Sequence, residues 1–91
     1  MHILKAVRNR NGVKTSHVFE CTHFTVDELP EFFRIEFPLQ AEDGTFPIKE
    51  LKLPDDYDAI YHMSSSSGDT LDSWTWDSKE NRTKKVSYRD D

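Results

Sequence analysis

Three residues near position 20 are of the types that bind metal ions or act as nucleophiles. His17, Cys21 and His23 alternate along one β-prone segment, so we expect their side chains to share one face of a strand. Imidazole and thiolate bind zinc, and neighbours on one strand face lie about 7 Å apart, within reach of one ion. A structural zinc ion takes four ligands, and only a fold that brought His62 close would complete the set. We therefore predict no metal and no other cofactor, with metal binding by these residues as the less favoured alternative.

Cys21 is the only cysteine of the chain, so an internal disulfide is excluded. A catalytic cysteine needs a lowered thiol pKa and donors for an oxyanion. No glycine-rich or strained turn adjoins Cys21 in the sequence. We interpret Cys21 as a small core residue.

Carboxylates occur in close groups, at residues 42–43, 55–58 and 69–72. Acid–base catalysis needs one of two carboxyls to be desolvated, whereas acids in turns and polar loops stay ionised. The spacing at 55–58 lacks the glycine and the distal glutamate of a calcium loop. The serine-rich segment 64–68 lacks the lysine and the following helix of a phosphate-binding loop. We predict a protein without enzymatic activity.

Acidic and basic residues are segregated along the chain. Residues 1–19 carry +4, residues 20–77 carry fourteen acids against three bases, and residues 78–91 carry +2, for an overall net charge of −5. A concentrated acidic surface attracts a positively charged partner and speeds its association. We expect the central acids, with one aromatic anchor, to form the binding surface. Its predicted residues are Asp27, Glu28, Glu31, Asp55, Asp56, Asp58, Asp69, Asp72 and Trp74.

In size, charge and lack of a catalytic motif, the chain resembles two broad kinds of protein. One is the small inhibitor that phages or mobile elements make against host enzymes or defence systems, and the other is the immunity protein that neutralises a nuclease toxin. The resemblance lies in bulk properties and assigns no role to any residue. The sequence thus predicts a protein-binding module that blocks a basic, nucleic-acid-handling partner, although acidity can also serve solubility alone.

The two basic ends of the chain favour an alternative, a small nucleic-acid-binding domain. The bases around the first predicted turn and near the last are Arg8, Arg10, Lys14, Lys79, Arg82, Lys84 and Lys85. Trp74 and Trp76 would then stack on bases. The net negative charge argues against direct nucleic-acid binding, because phosphate-binding domains present a dominant positive face.

The elements that position these residues begin with a β-hairpin. Asn11-Gly12 separates two β-prone runs, 2–8 and 13–24, and both turn residues suit the positive φ of a type I′ turn. A helix is predicted next: residues 25–28 fit a capping box, Pro30 offers a first helical residue, and Pro38 ends the segment. Phe32, Phe33 and Phe37 recur at helical spacings.

The rest of the chain predicts a loop followed by strands. Residues 39–47 contain Asp43-Gly44 and Pro47, which favour a loop, and residues 48–53 form a weak apolar run. Strands are predicted at 57–63, 71–76 and 83–88, with a polar loop at 64–69 and a turn at 78–81. The predicted fold class is α+β: a hairpin, one short helix, then three or four strands, in a mostly antiparallel sheet with the helix on one face.

The length of 91 residues predicts a single domain spanning 1–91. The sequence has no apolar run that would serve as a signal peptide or a membrane helix, so we expect a cytoplasmic protein without membrane contact. The partner's identity and the oligomeric state are not predicted.

Overall fold

The computed structural model describes residues 1–88, which form eight β-strands and no helix. The strands are β1 (His2–Arg10), β2 (Val13–Cys21), β3 (Thr25–Leu29), β4 (Phe32–Pro38), β5 (Ile48–Leu53), β6 (Ala59–Met63), β7 (Thr70–Asp77) and β8 (Arg82–Ser87). All pairings are antiparallel, in a five-stranded sheet A ordered β2-β1-β6-β7-β8 and a three-stranded sheet B ordered β3-β4-β5. Within residues 1–88 no helix is long and apolar enough to cross a membrane.

The predicted hairpin is confirmed. Asn11 has φ 54° and Gly12 has φ 79°, so both turn residues take the positive φ that a type I′ turn requires. β1 and β2 pair without interruption from Arg10 opposite Val13 to His2 opposite Cys21. The turn therefore sets the register of the longest hairpin in the described chain.

The predicted helix is wrong, and with it the α+β fold class: residues 25–38 form the hairpin β3–β4. Phe33, Ile35 and Phe37 are buried, while Arg34 and Glu36 between them are partly exposed. This is the period of two that a strand imposes. The helix prediction considered the spacing of the phenylalanines alone. With Ile35 included, the buried residues recur at every second position, as in a strand. Pro30 lies in the turn between the two strands.

The loop and the strands predicted after residue 38 agree with the structure, apart from the exact ends of the strands. Residues 39–47 form a loop, and the weak apolar run 48–53 forms β5. β6 begins at Ala59 rather than at residue 57, and β7 and β8 match the predicted strands to within one residue at each end. The architecture is therefore all-β, with two antiparallel sheets.

The hydrophobic core lies between the two sheets. Sheet A contributes Leu4, Ala6, Cys21, Ile60 and Trp74, and sheet B contributes Phe33, Ile35, Phe37, Leu51 and Leu53. The rings of Trp74 and Phe33 stack across the interface with centroids 5.5 Å apart and an interplanar angle of 29°. Burial of each large side chain stabilises the fold by about 1.5–3 kcal/mol. The inner faces are thus set by alternate residues of each strand, as in a β-sandwich.

Candidate functional site: the turn end of the sandwich

Four connections lie at one end of the sandwich, which we call the turn end: β1–β2, β3–β4, β5–β6 and β7–β8. The antiparallel registers place the end of β1 beside the start of β6, and the end of β7 beside the start of β8. Arg10 Nη2 donates to the carbonyl of Pro54 at 3.2 Å, which ties the first turn to the β5–β6 connection. A shallow groove joins the β3–β4 turn to the β7–β8 turn, and Leu29 and Arg82 are among its lining residues.

Four acids of the predicted binding surface lie at this end: Glu28, Glu31, Asp55 and Asp56, which we call the acidic turn group. Phe33 pairs with Leu53, so the turn that precedes Phe33 lies next to the connection that follows Leu53. Within residues 1–88 none of the four carboxylates forms an ion pair. Three of the four are exposed and Asp56 is half-buried.

Asp56 also stabilises the backbone at the end of β5 through hydrogen bonds. Its Oδ2 accepts the backbone N–H of Lys52 at 3.2 Å, and its own N–H donates to the Lys52 carbonyl at 3.0 Å. The bond fixes the bend that leads out of β5. Asp55 beside it makes no such bond among the described residues and points its charge to solvent.

Asp58 lies at the same end but is paired within the fold. Its carboxylate accepts the N–H of Asn9 at 2.6 Å and lies 2.8 Å from Arg10 Nη1. Partial burial is the largest influence and raises the pKa of Asp58, but the hydrogen bonds from Asn9 and Arg10 and the charges of Arg10 and Arg8 together hold that pKa below its usual value. Its charge is therefore largely offset by Arg10.

Asp27 lies on the outer face of sheet B within a network of ion pairs. The guanidinium of Arg34 lies 2.7 Å from Asp27, 3.0 Å from Glu36 and 3.8 Å from Glu50. Lys52 lies 3.6 Å from Glu50 on the same face. These ion pairs, two within a strand and two between strands, offset most of the acidity of this face.

The remaining predicted residues lie elsewhere. Asp69 is exposed in the β6–β7 loop, at the opposite end of the sandwich. Asp72 is buried in β7, and Trp74 is 3% exposed in the core. Neither Asp72 nor Trp74 is available to a partner in this structure, so the aromatic anchor of the predicted surface is not Trp74. Leu29, at 44% exposure, is the large apolar side chain beside the acidic turn group, and the sequence prediction did not include it.

Buried Asp72 belongs to a polar cluster on the inner side of sheet A. His62 Nδ1 lies 3.4 Å from Asp72 Oδ2, and His62 Nε2 lies 3.0 Å from His2 Nδ1. The ring of Phe24 packs edge-on against both histidines, with centroids 5.1 Å and 5.0 Å away. A carboxylate–imidazole pair acts in catalysis when it faces a substrate or nucleophile. Here it is covered by Phe24, which fits a structural role.

The three residues considered as alternative metal ligands do not converge. Cys21 is buried at the end of β2, His17 lies on the same face with Nδ1 3.4 Å from the Tyr57 hydroxyl, and His23 lies beyond the strand with Nδ1 3.1 Å from the Thr22 hydroxyl. Residues 1–88 contain no group of three or more His, Cys, Asp or Glu side chains placed to hold a metal ion.

Burial raises the pKa of the Cys21 thiol, and the smaller effect of the nearby amino terminus lowers it. A raised thiol pKa is the opposite of what a nucleophilic cysteine needs.

The basic ends of the chain form part of one sheet face. β1, β2 and β8 all belong to sheet A, whose outer face is the one turned away from sheet B. The register sets one row of side chains on that face: Val18, Lys5, Tyr61, Ser73 and Val86. The charged residues on the face are Lys5, Lys14, Arg82 and Lys84, against Glu20 and Asp77. The outer face of sheet A is thus mildly positive in a protein of negative net charge.

No protein-family model, no curated protein and no solved structure matches the chain.

Proposed function

We propose that this protein is a non-enzymatic binding module whose acidic turn group occupies a basic surface on another protein. The observation that carries the proposal is that Glu28, Glu31, Asp55 and Asp56 all lie at one end of the sandwich and form no ion pair within residues 1–88. Fixed unpaired carboxylates raise the local negative potential and steer a cationic partner.

Leu29 supports the same surface. It is 44% exposed and adjoins Glu28, in a groove whose other wall is the β7–β8 turn. Interfaces gain most of their affinity from a few side chains that are desolvated at the centre, while charges around them set specificity. In this proposal Leu29 replaces Trp74 as the anchor.

The partner proposed is a basic protein that handles nucleic acid. A surface of carboxylates presents the same sign of charge as a phosphate backbone, and a groove that binds phosphates carries the complementary charge. An inhibitor that a phage or mobile element makes against a host enzyme or defence system would act by blocking such a groove. An immunity protein that neutralises a nuclease would act in the same way. The interaction would take place in the cytoplasm.

The experiment combines capture and competition. The protein is immobilised, partners are taken from a bacterial lysate and identified by mass spectrometry, and the purified partner is titrated with labelled oligonucleotide. The proposal predicts a basic partner that elutes with salt and whose oligonucleotide is displaced by this protein. A partner that binds this protein and the oligonucleotide at the same time would contradict the blocking function.

A second candidate, direct nucleic-acid binding, is favoured by one observation: Lys5, Lys14 and Lys84 share the outer face of sheet A with the half-buried ring of Tyr61. Lysines that contact phosphates beside a ring that stacks on bases are the usual elements of single-strand binding. Trp74, predicted to stack on bases, is buried and takes no part. Lys84 is already 2.9 Å from Asp77, which reduces the positive charge available to phosphates.

Fluorescence anisotropy with a labelled single-stranded oligonucleotide at low salt tests the second candidate. Lys5→Glu should weaken binding by about tenfold if the face contacts phosphates. Lys79→Glu changes the charge equally in the β7–β8 turn and serves as the control. No change in anisotropy with the unmodified protein would remove this candidate.

A further inference from the structure

β2 is an unprotected edge of sheet A. It pairs with β1 on one side only, and among residues 1–88 nothing pairs with its other side. The strand is nine residues long, contains no proline, and pairs with β1 without a bulge. Natural proteins protect a long straight edge, because its free N–H and C=O groups are a template for another strand.

The other three edges of the sandwich carry the usual protection. β3 is five residues long, with Asp27 and Glu28 in its middle. β5 carries Lys49, Glu50 and Lys52 within six residues, and β8 carries three bases within six. Short length and charge are the standard means of preventing strand addition. β2 alone among the edges of the described chain combines length with an uncharged centre.

Charge along β2 is self-complementary. Lys14 and Glu20 lie near its opposite ends and on the same face, and neither forms an ion pair within residues 1–88. Their neighbours on β1 are Asn9 and Ile3, which offer no charge. Val18, between them on that face, is 62% exposed.

We propose that β2 pairs antiparallel with β2 of a second copy of this chain, about a two-fold axis at His17. A symmetric dimer needs the same strand on both sides, with each pairing made twice. The register that pairs all nine residues places His17 opposite itself, because His17 is the central residue of Val13–Cys21. In that same register Lys14 faces Glu20 of the second copy, twice. The two five-stranded sheets then form one continuous sheet, and Val18 packs over Ser16 of the second copy.

A charge swap tests the pairing and its register. Sedimentation equilibrium should show a dimer of the full chain, and Lys14→Glu or Glu20→Lys alone should raise its dissociation constant by about tenfold or more, because each places like charges opposite one another twice. The double variant K14E/E20K restores opposite charges and should restore the dimer. A monomer at all concentrations, or a dimer unaffected by the single substitutions, would overturn the proposal.

Cysteine crosslinking tests the position of the axis in the same protein. His17→Cys in a Cys21→Ser background brings two thiols face to face across the axis, at the spacing of directly opposed residues, and should form an intermolecular disulfide under mild oxidation. Thr15→Cys in the same background lies about 13 Å from its counterpart, four residues along the strand, and should not. Equal crosslinking of both variants, or crosslinking of neither, would contradict the register.

Discussion

Asp58 accepts the backbone N–H of Asn9 at 2.6 Å and pairs with Arg10 at 2.8 Å, so its charge contributes to folding. Its pKa in the folded protein lies below the ordinary value, as described above. A depressed pKa means that the ionised carboxylate stabilises the fold above the unfolded-state pKa of about 3.9, and that this contribution is lost as the pH falls through the folded-state pKa.

We predict that Asp58→Asn lowers the free energy of unfolding by about 0.5–1 kcal/mol at neutral pH, a value limited by the exposure of the ion pair to solvent. Urea unfolding across the acidic range measures the difference, which should vanish below the folded-state pKa. Asp55→Asn, at the neighbouring exposed acid, is the control and should stay within about 0.5 kcal/mol of the unmodified protein. A difference that persisted at the lowest pH would show that charge is not the cause.

Burial and a raised pKa should make the Cys21 thiol unreactive in the folded protein. The residue is 3% exposed, and burial is the main cause of the raised pKa. We predict that a disulfide reagent labels Cys21 at least about tenfold more slowly in the native state than in denaturant. Equal rates in the two states would show that the strand end opens readily.

The burial of Asp72 and Trp74 could have been predicted from their spacing in the sequence. Asp72, Trp74 and Trp76 alternate on one face of a strand, and two tryptophans on one face favour the core for that face. Because Asp72 is two residues from Trp74, its side chain lies on the same face of the strand and also points into the core. Its pairing with His62 could not be predicted, because it depends on β6 and β7 being neighbours in the sheet.

β4 is the element in which sequence and structure differ most. Helical spacings and a capping box favoured a helix, but the segment is too short for an isolated helix to be stable. Phe33, Ile35 and Phe37 are buried because sheet A packs against the face of β4 on which they lie. The hairpin β1–β2 was predicted because its signal is local, whereas β4 depends on pairing with β5 across a loop of nine residues, 39–47.

The strand assignment predicts a difference between two identical substitutions in sheet B. Ile35→Val removes a methylene from a fully buried site and should lower the free energy of unfolding by about 0.5–1.5 kcal/mol. Ile48→Val removes the same group from a side chain that is 63% exposed and should leave stability within about 0.5 kcal/mol. Chemical denaturation of both variants measures the contrast. Equal losses would be inconsistent with Ile35 facing the core.

At the scale of the whole molecule, folding rearranges the charges that are segregated in the sequence. Basic residues of the first and last segments pair with acids of the centre, as Arg10 does with Asp58 and Lys84 with Asp77. The acidic stretch therefore does not form one continuous surface. The charge pattern of the sequence predicted an acidic partner-binding surface, but only the fold shows which carboxylates lie at one end of the sandwich without forming an ion pair within residues 1–88.

The role of the acidic turn group in partner binding is tested most directly by comparing the same charge reversal at the two ends of the sandwich. Glu31→Lys with Asp55→Lys reverses two acids at the turn end, and Glu42→Lys with Asp69→Lys reverses two exposed acids elsewhere, so both variants have the same net charge. With the captured partner, titration calorimetry should show that the first pair weakens binding by about tenfold or more, while the second pair changes it by less than about threefold. Equal weakening by both pairs would attribute binding to net charge alone, and unchanged binding of the first pair would place the partner's surface elsewhere on the molecule.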